Sequence, residues 1–148
     1  MNNLTGGIMD SKNAVEKQLA EKYGLKKECF WFHQQSKKYI ISHVGCMVIA
    51  DKEQIEFTQP QYIKNEPDAV VMYGTATMRD EEGNEKEVWT HGEANHKNCY
   101  IAYPFAMAEK RLKDRLTLML ISVYGEIYSE IEADEFTAQK DHMEAIKK

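Results

Sequence analysis

"AVVMYGTATMRDEEGNEKEVWTHGEA", residues 69–94, sets two runs of strand-forming residues on either side of a charged turn. Residues 69–78 are rich in β-branched side chains and partly alternate, as a half-buried strand does. Gly83-Asn84 marks the tip of a polar connection, and residues 87–94 read as the returning strand. The segment therefore predicts a hairpin with a long charged tip. Just upstream, "IEFT" (55–58) predicts a short strand ended by Pro60.

Downstream, "YPFAMAEKRLKDRLTLMLISVYG" (103–125) changes period. Phe105, Ala108, Leu112, Leu116, Met119 and Val123 trace one helical face. Pro104 suits the first turn of a helix, where a missing N–H costs nothing. At ~1.5 Å per residue this helix is expected to run roughly 30 Å to a stop at Gly125. Upstream, "SKNAVEKQLAEKYG" (11–24) predicts a short amphipathic helix, with Ser11 as cap and Gly24 as stop. "SKKYIISHVGCMVIADKEQI" (36–55) has Ile40, Ile41, Val44, Val48 and Ile49 at near-helical spacing, and predicts a helix capped by Ser36.

These elements give an α+β fold: a small antiparallel sheet, with a β-β-β-α core, packed against one long helix and preceded by N-terminal helices. The expected organisation is a flexible stretch over 1–10, one domain over 11–128, and an acidic-to-mixed tail or short helix over 129–148. A length of 148 residues suits one compact domain rather than two. Three cysteines without a CxxC pair give no disulfide framework, and the first 24 residues lack the pattern of a signal peptide. No apolar run approaches the ~18–20 residues that span a bilayer. The expectation is a cytoplasmic protein.

Chemistry-bearing motifs are sparse. Neither GxxxxGK[ST] nor GxGxxG occurs, so no nucleotide cofactor is expected. Cys29-x3-His33 and His43-x2-Cys46 can be written as a four-ligand zinc set. Cys46 as a core residue and His33 as a half-buried one explain the same residues without metal, and no metal is expected. A nuclease would need carboxylates converging on Mg²⁺. Asp68, Glu85, Glu87 and Glu93 are available, but a solvated hairpin tip is the simpler reading of the hairpin carboxylates. No serine or cysteine stands in a nucleophile context.

The cluster Lys110, Arg111, Lys113 and Arg115 is harder to dismiss, because the chain as a whole carries a net charge of −5. Glu109 with Lys113, and Lys110 with Asp114, are ordinary i, i+4 pairs worth a few tenths of a kcal/mol. Arg111 and Arg115 repel one another, and Arg115 has no acid three or four residues away on its helix. Two readings stay open: an arginine pair held for phosphate, or one answered by Glu130, Glu132 and Asp134.

The pattern resembles phage and prophage single-strand annealing proteins of the Rad fifty-two superfamily, which includes the Sak, Erf and Red-beta types. Three segments carry the resemblance: "HVGCMVIADKEQIEF", the hairpin "VVMYGTATMRDEEGNEKEVWTHGEA", and the basic helix "MAEKRLKDRLTLMLISVYG". It covers roughly residues 43–125 and implies a β-β-β-α core bearing a basic helix. It further implies ATP-independent binding and annealing of single-stranded DNA by a non-enzymatic homo-oligomer, ring or filament, with a host single-strand-binding protein as an open partner. The expected nucleic-acid contacts are Lys110, Arg111, Lys113 and Arg115, with Lys97 and Arg79 as weaker additions. Trp89 and Tyr73 are aromatic supports that serve equally as core residues. The rival readings are an interaction domain whose basic helix docks on an acidic partner or on its own tail, and a metal-dependent nuclease.

Overall fold

The computed structural model describes residues 11–95 and 104–132. Helix α1 (Ser11–Tyr23) and a 3-10 turn (Lys27–Cys29) lead into strands β1 (Phe30–His33) and β2 (Lys38–Ile41). Helix α2 (His43–Lys52) follows, then β3 (Glu56–Phe57), β4 (Gln61–Glu66), β5 (Ala69–Arg79) and β6 (Glu85–Asn95). Helix α3 (Pro104–Leu120) and the short β7 (Tyr128–Ser129) complete the described chain. The class is α+β, as the sequence predicts. The expected flexible 1–10 and most of the expected tail, 133–148, lie outside the described residues.

There are two sheets rather than one. In the larger, β5 is central: β6 pairs along its whole length, while β4 and β3 share its other side. Alternation decides which face is buried. Val70, Met72, Gly74 and Ala76 of β5 point to one side with Gly92 and Ala94 of β6, and α3 covers that side with Ala108, Leu112, Leu116 and Leu120. The smaller sheet has the order β1-β2-β7, with β2 and β7 parallel. It packs with α1 and α2 around Leu19, Tyr23, Ile41, Cys46 and Ile49. Leu118 of α3 belongs to this second cluster. The long helix is thus a shared wall between two cores.

One contact fixes how closely α3 lies on its sheet. A Cβ on Gly92 would sit 2.1 Å from Ala108 O and 2.7 Å from Leu112 N. Helix backbone and strand backbone touch here, which only glycine permits.

Several boundaries differ from expectation. Residues 38–41 form β2, not the first turn of a helix. Ser42, not Ser36, is the cap, and its Oγ accepts from Gly45 N at 2.9 Å. Helix α3 ends at Leu120 rather than at Gly125. Ser122 takes a left-handed φ of 65° and Val123 N donates to Leu118 O at 3.0 Å, which closes the helix as a Schellman turn does. Lys86 Nζ reaches across from β6 and donates to Met119 O, Leu120 O and Ser122 Oγ at 3.3, 3.1 and 3.0 Å. A cation on the terminal carbonyls complements the negative end of the helix. Residues 129–132, expected in the tail, are packed into the body, because Ser129, Ile131 and Glu132 are all buried.

Candidate nucleic-acid interface

The four cations of the basic turn divide into two pairs with different fates. Arg111 is 0% exposed. Its Nη1 donates to Glu93 O at 2.7 Å, and its Nε and Nη2 both donate to Ile131 O at 3.3 Å. Arg115 donates from Nη1 to His91 O at 2.8 Å and pairs with Glu93 and Glu132 through N–O distances of 2.9–3.0 Å. Burial alone works against its charge, and the two carboxylates more than reverse that.

The spacing explains why two like charges stand four apart. Among the described residues β6 has β5 on one side only, so the carbonyls of alternate residues on its other side have no described strand to accept from. His91 and Glu93 supply two such carbonyls, ~6.8 Å apart along a strand. Arginines four apart on a helix are separated by ~6 Å. The pair matches the carbonyls and closes the sheet edge. Phosphate binding by Arg111 and Arg115, the first reading above, is therefore corrected. Their donors are used inside the fold, and Glu132 is the tail acid that the second reading names.

Lys110 and Lys113 lie on a different face of α3, roughly 100–160° around the helix from the arginines at ~100° per residue. Lys113 pairs with Glu109 at 2.9 Å, as expected. Lys110 is exposed, but its expected partner Asp114 is not within reach of solvent. Asp114 is fully buried, with Oδ1 2.7 Å from His43 Nδ1 and Oδ2 accepting from Ser129 Oγ. Burial pushes the Asp114 carboxyl above its usual range, and the His43 and Ser129 contacts draw it partly back. Glu130 Oε1 accepts from His43 N at 2.7 Å. Residues 129–132 are thereby tied to both α2 and α3 by polar contacts.

The remaining expected contacts are scattered. Arg79 donates to Gly83 O at 3.1 Å and lies 3.9 Å from Glu85, both within its own hairpin tip. Lys97 lies outside the described residues. Tyr73 and Trp89 do come together, with ring centroids 5.9 Å apart, on the sheet face turned away from α3. His91 joins them at 5.7 Å from Tyr73 and 6.0 Å from Trp89. Trp89 is 60% exposed. These residues are not core. His91 has a signal in sequence that went unused, since it follows Trp89 by two and so shares its strand face.

The zinc set does not assemble. His33 Nδ1 lies 2.7 Å from Ser36 Oγ, His43 is engaged by Asp114, and burial pushes the Cys46 thiol well up. The nuclease set fares no better. Glu93 is held by Arg115, while Glu85 and Glu87 lie six to eight residues away on the same strand, on the order of 20 Å. Among the described residues no group of three or more metal-ligating side chains is gathered, and no helix is long and apolar enough to cross a membrane. Comparison with family models, with curated proteins and with solved structures gives no match to this chain.

Proposed function

We propose that this protein is an ATP-independent single-stranded DNA binding and annealing protein that acts as a cytoplasmic homo-oligomer. The observation that carries the reading is Trp89. A tryptophan 60% exposed, beside Tyr73 and His91 on a sheet face that no described element covers, has no packing reason to be there among the described residues. Flat side chains on such a face support unpaired bases without selecting among them. Between α2 and α3 lie four antiparallel strands, β3–β6, one more than the β-β-β-α core that the resemblance implies. Annealing needs no nucleotide hydrolysis, because duplex formation drives it. Weak contacts made by each subunit become strong when subunits line up along one strand.

The rival reading, a helix docked on its own acidic segment, draws support from the Arg115–Glu132 contact. That contact concerns the arginines alone and leaves the aromatic face unexplained. The test is binding of an unstructured oligonucleotide over a range of salt, followed by annealing of complementary strands in EDTA without ATP. Log affinity should fall linearly with log salt, and annealing should proceed. A flat salt response, or annealing that requires ATP or a divalent metal, refutes the reading.

A further inference from the structure

The cations of this chain are not concentrated where the basic helix suggests. Residues 22–43 contain Lys22, Lys26, Lys27, Lys37 and Lys38 against one acid, Glu28, in a protein of net charge −5. This basic segment forms the β1–β2 hairpin and the turn leading into it. Lys26, Lys27 and Lys37 are exposed, and none makes an ion pair among the described residues. Solvated lysines in excess over acids raise the local potential that a polyanion meets, whatever the net charge.

Aromatic side chains lie between these lysines. The register Trp31↔Ile40↔Tyr128 puts Trp31 and Tyr128 on one face of the small sheet, and the pair His33↔Lys38 shares that face. Trp31 is 38% exposed. Lys38 Nζ stands 4.8 Å from the centroid of the Tyr128 ring, and Tyr124, itself partly exposed, packs edge-on to Tyr128 at 6.1 Å. Lys26 and Lys27 precede β1 while Lys37 closes its far end, so the charges are roughly 15 Å apart along the strand and span several phosphates.

We propose that this face, Trp31, Lys38 and Tyr128 with Lys26, Lys27 and Lys37 at its margins, is a second contact for single-stranded nucleic acid, beside the Trp89 face. It deepens the nucleic-acid reading above and rests on it. The lysines hold phosphates as point charges without sequence preference, and Trp31 stacks on an unpaired base. An acidic peptide would satisfy the lysines but would leave the exposed indole without a role.

The chain has two tryptophans, Trp31 here and Trp89 on the larger sheet, so each surface carries its own fluorophore. Full-length Trp89→Phe and Trp31→Phe variants are titrated with a thymidine oligonucleotide while a terminal dye reports binding by anisotropy. Emission from Trp31 in the Trp89→Phe variant should be quenched in step with binding. The triple change Lys26→Gln, Lys27→Gln, Lys37→Gln should weaken binding at least about tenfold near 100 mM salt and flatten the log–log salt slope by about 2. Its melting temperature should match that of the parent, since all three side chains are exposed. Binding that leaves Trp31 emission and the triple variant's affinity unchanged overturns this proposal while leaving the nucleic-acid reading intact. Absence of anisotropy change in either single-tryptophan variant and in the parent overturns both. Displacement of the oligonucleotide by polyglutamate at equal charge concentration reassigns the face to an acidic protein partner and likewise overturns the proposal.

Discussion

Arg115 and Glu93 meet at the open edge of β6 in a two-pronged pair, Nη1 to Oε2 at 3.0 Å and Nη2 to Oε1 at 2.9 Å. The same guanidinium holds the His91 carbonyl and Glu132, so one side chain joins helix, strand edge and the segment after α3. Arg111 does the parallel work one turn earlier, on Glu93 O and Ile131 O. An exposed strand edge is a template for unwanted pairing, and covering it is one way that proteins avoid this.

Removing either arginine should therefore harm the fold before it harms any ligand contact. Arg111→Ala strands buried carbonyl oxygens and leaves a void, and should cost about 3 kcal/mol or more. Arg115→Ala should cost about 2–3 kcal/mol, because Glu93 is partly exposed and can be rehydrated while the buried Glu132 cannot. Urea denaturation measures both. A variant within about 0.5 kcal/mol of wild type, coupled with weaker oligonucleotide binding, would return the arginines to phosphate duty.

Gly92 and Gly74 offer a second, paired test. At Gly92 a new methyl meets backbone, Ala108 O at 2.1 Å, which cannot yield without shifting the helix. At Gly74 it meets only Leu112 Cδ2 at 3.0 Å, the flexible end of a side chain. Gly92→Ala should cost about 3 kcal/mol or more, and Gly74→Ala about 1 kcal/mol. Equal melting temperatures for the two variants would mean that α3 does not lie on β6 as described.

How much of this was legible beforehand depended on whether a residue's surroundings were local. The β5–β6 hairpin and α3 each bury one face, so Val70, Met72 and Ala76, or Leu112 and Leu116, announce their period in the chain. β4 has no such signal: all six of its residues, Gln61–Glu66, are exposed, and nothing alternates. Ile40 and Ile41 fit helical spacing as well as a strand, and only pairing with β1 and β7 decides between them. The fate of Arg111 was unreadable for a related reason. Its acceptors, Glu93 O and Ile131 O, are backbone atoms 18 and 20 residues away, and sequence carries no mark of which carbonyls lack a partner. Trp89 was ambiguous because an indole suits a core and a ligand face equally well.

Asp114 should leave a signature in the pH dependence of stability. Burial raises its carboxyl pKa in the folded state, so the folded protein binds that proton more tightly than the unfolded chain does. The associated stability is fully present below the ordinary aspartate range of ~4 and is lost as pH rises through the raised folded value. Asp114→Asn removes the titration. The difference in unfolding free energy, variant minus wild type, should therefore increase from about pH 3 to pH 6. A difference that is flat or falls over that range would show that the carboxylate is better solvated than its position beneath His43 and Ser129 implies.

Trp89 gives the last prediction, on the face of the larger sheet that no described element covers. Its ring contacts Tyr73 and His91 only at centroid distances of 5.9 and 6.0 Å, so Trp89→Ala removes little packing. Stability should change by no more than about 0.5 kcal/mol, the range usual for exposed positions. Base stacking on one aromatic ring is worth about 1–3 kcal/mol, so oligonucleotide affinity should fall by roughly fivefold to a hundredfold. The salt slope should stay the same, because no phosphate contact is lost. That pairing, weaker binding at an unchanged slope, separates stacking from charge. The Lys26/Lys27/Lys37 variant should do the reverse and flatten the slope. If Trp89→Ala instead unfolds the protein, the ring is structural and the sheet face has no claim on bases. If it alters neither stability nor affinity, the strand runs elsewhere.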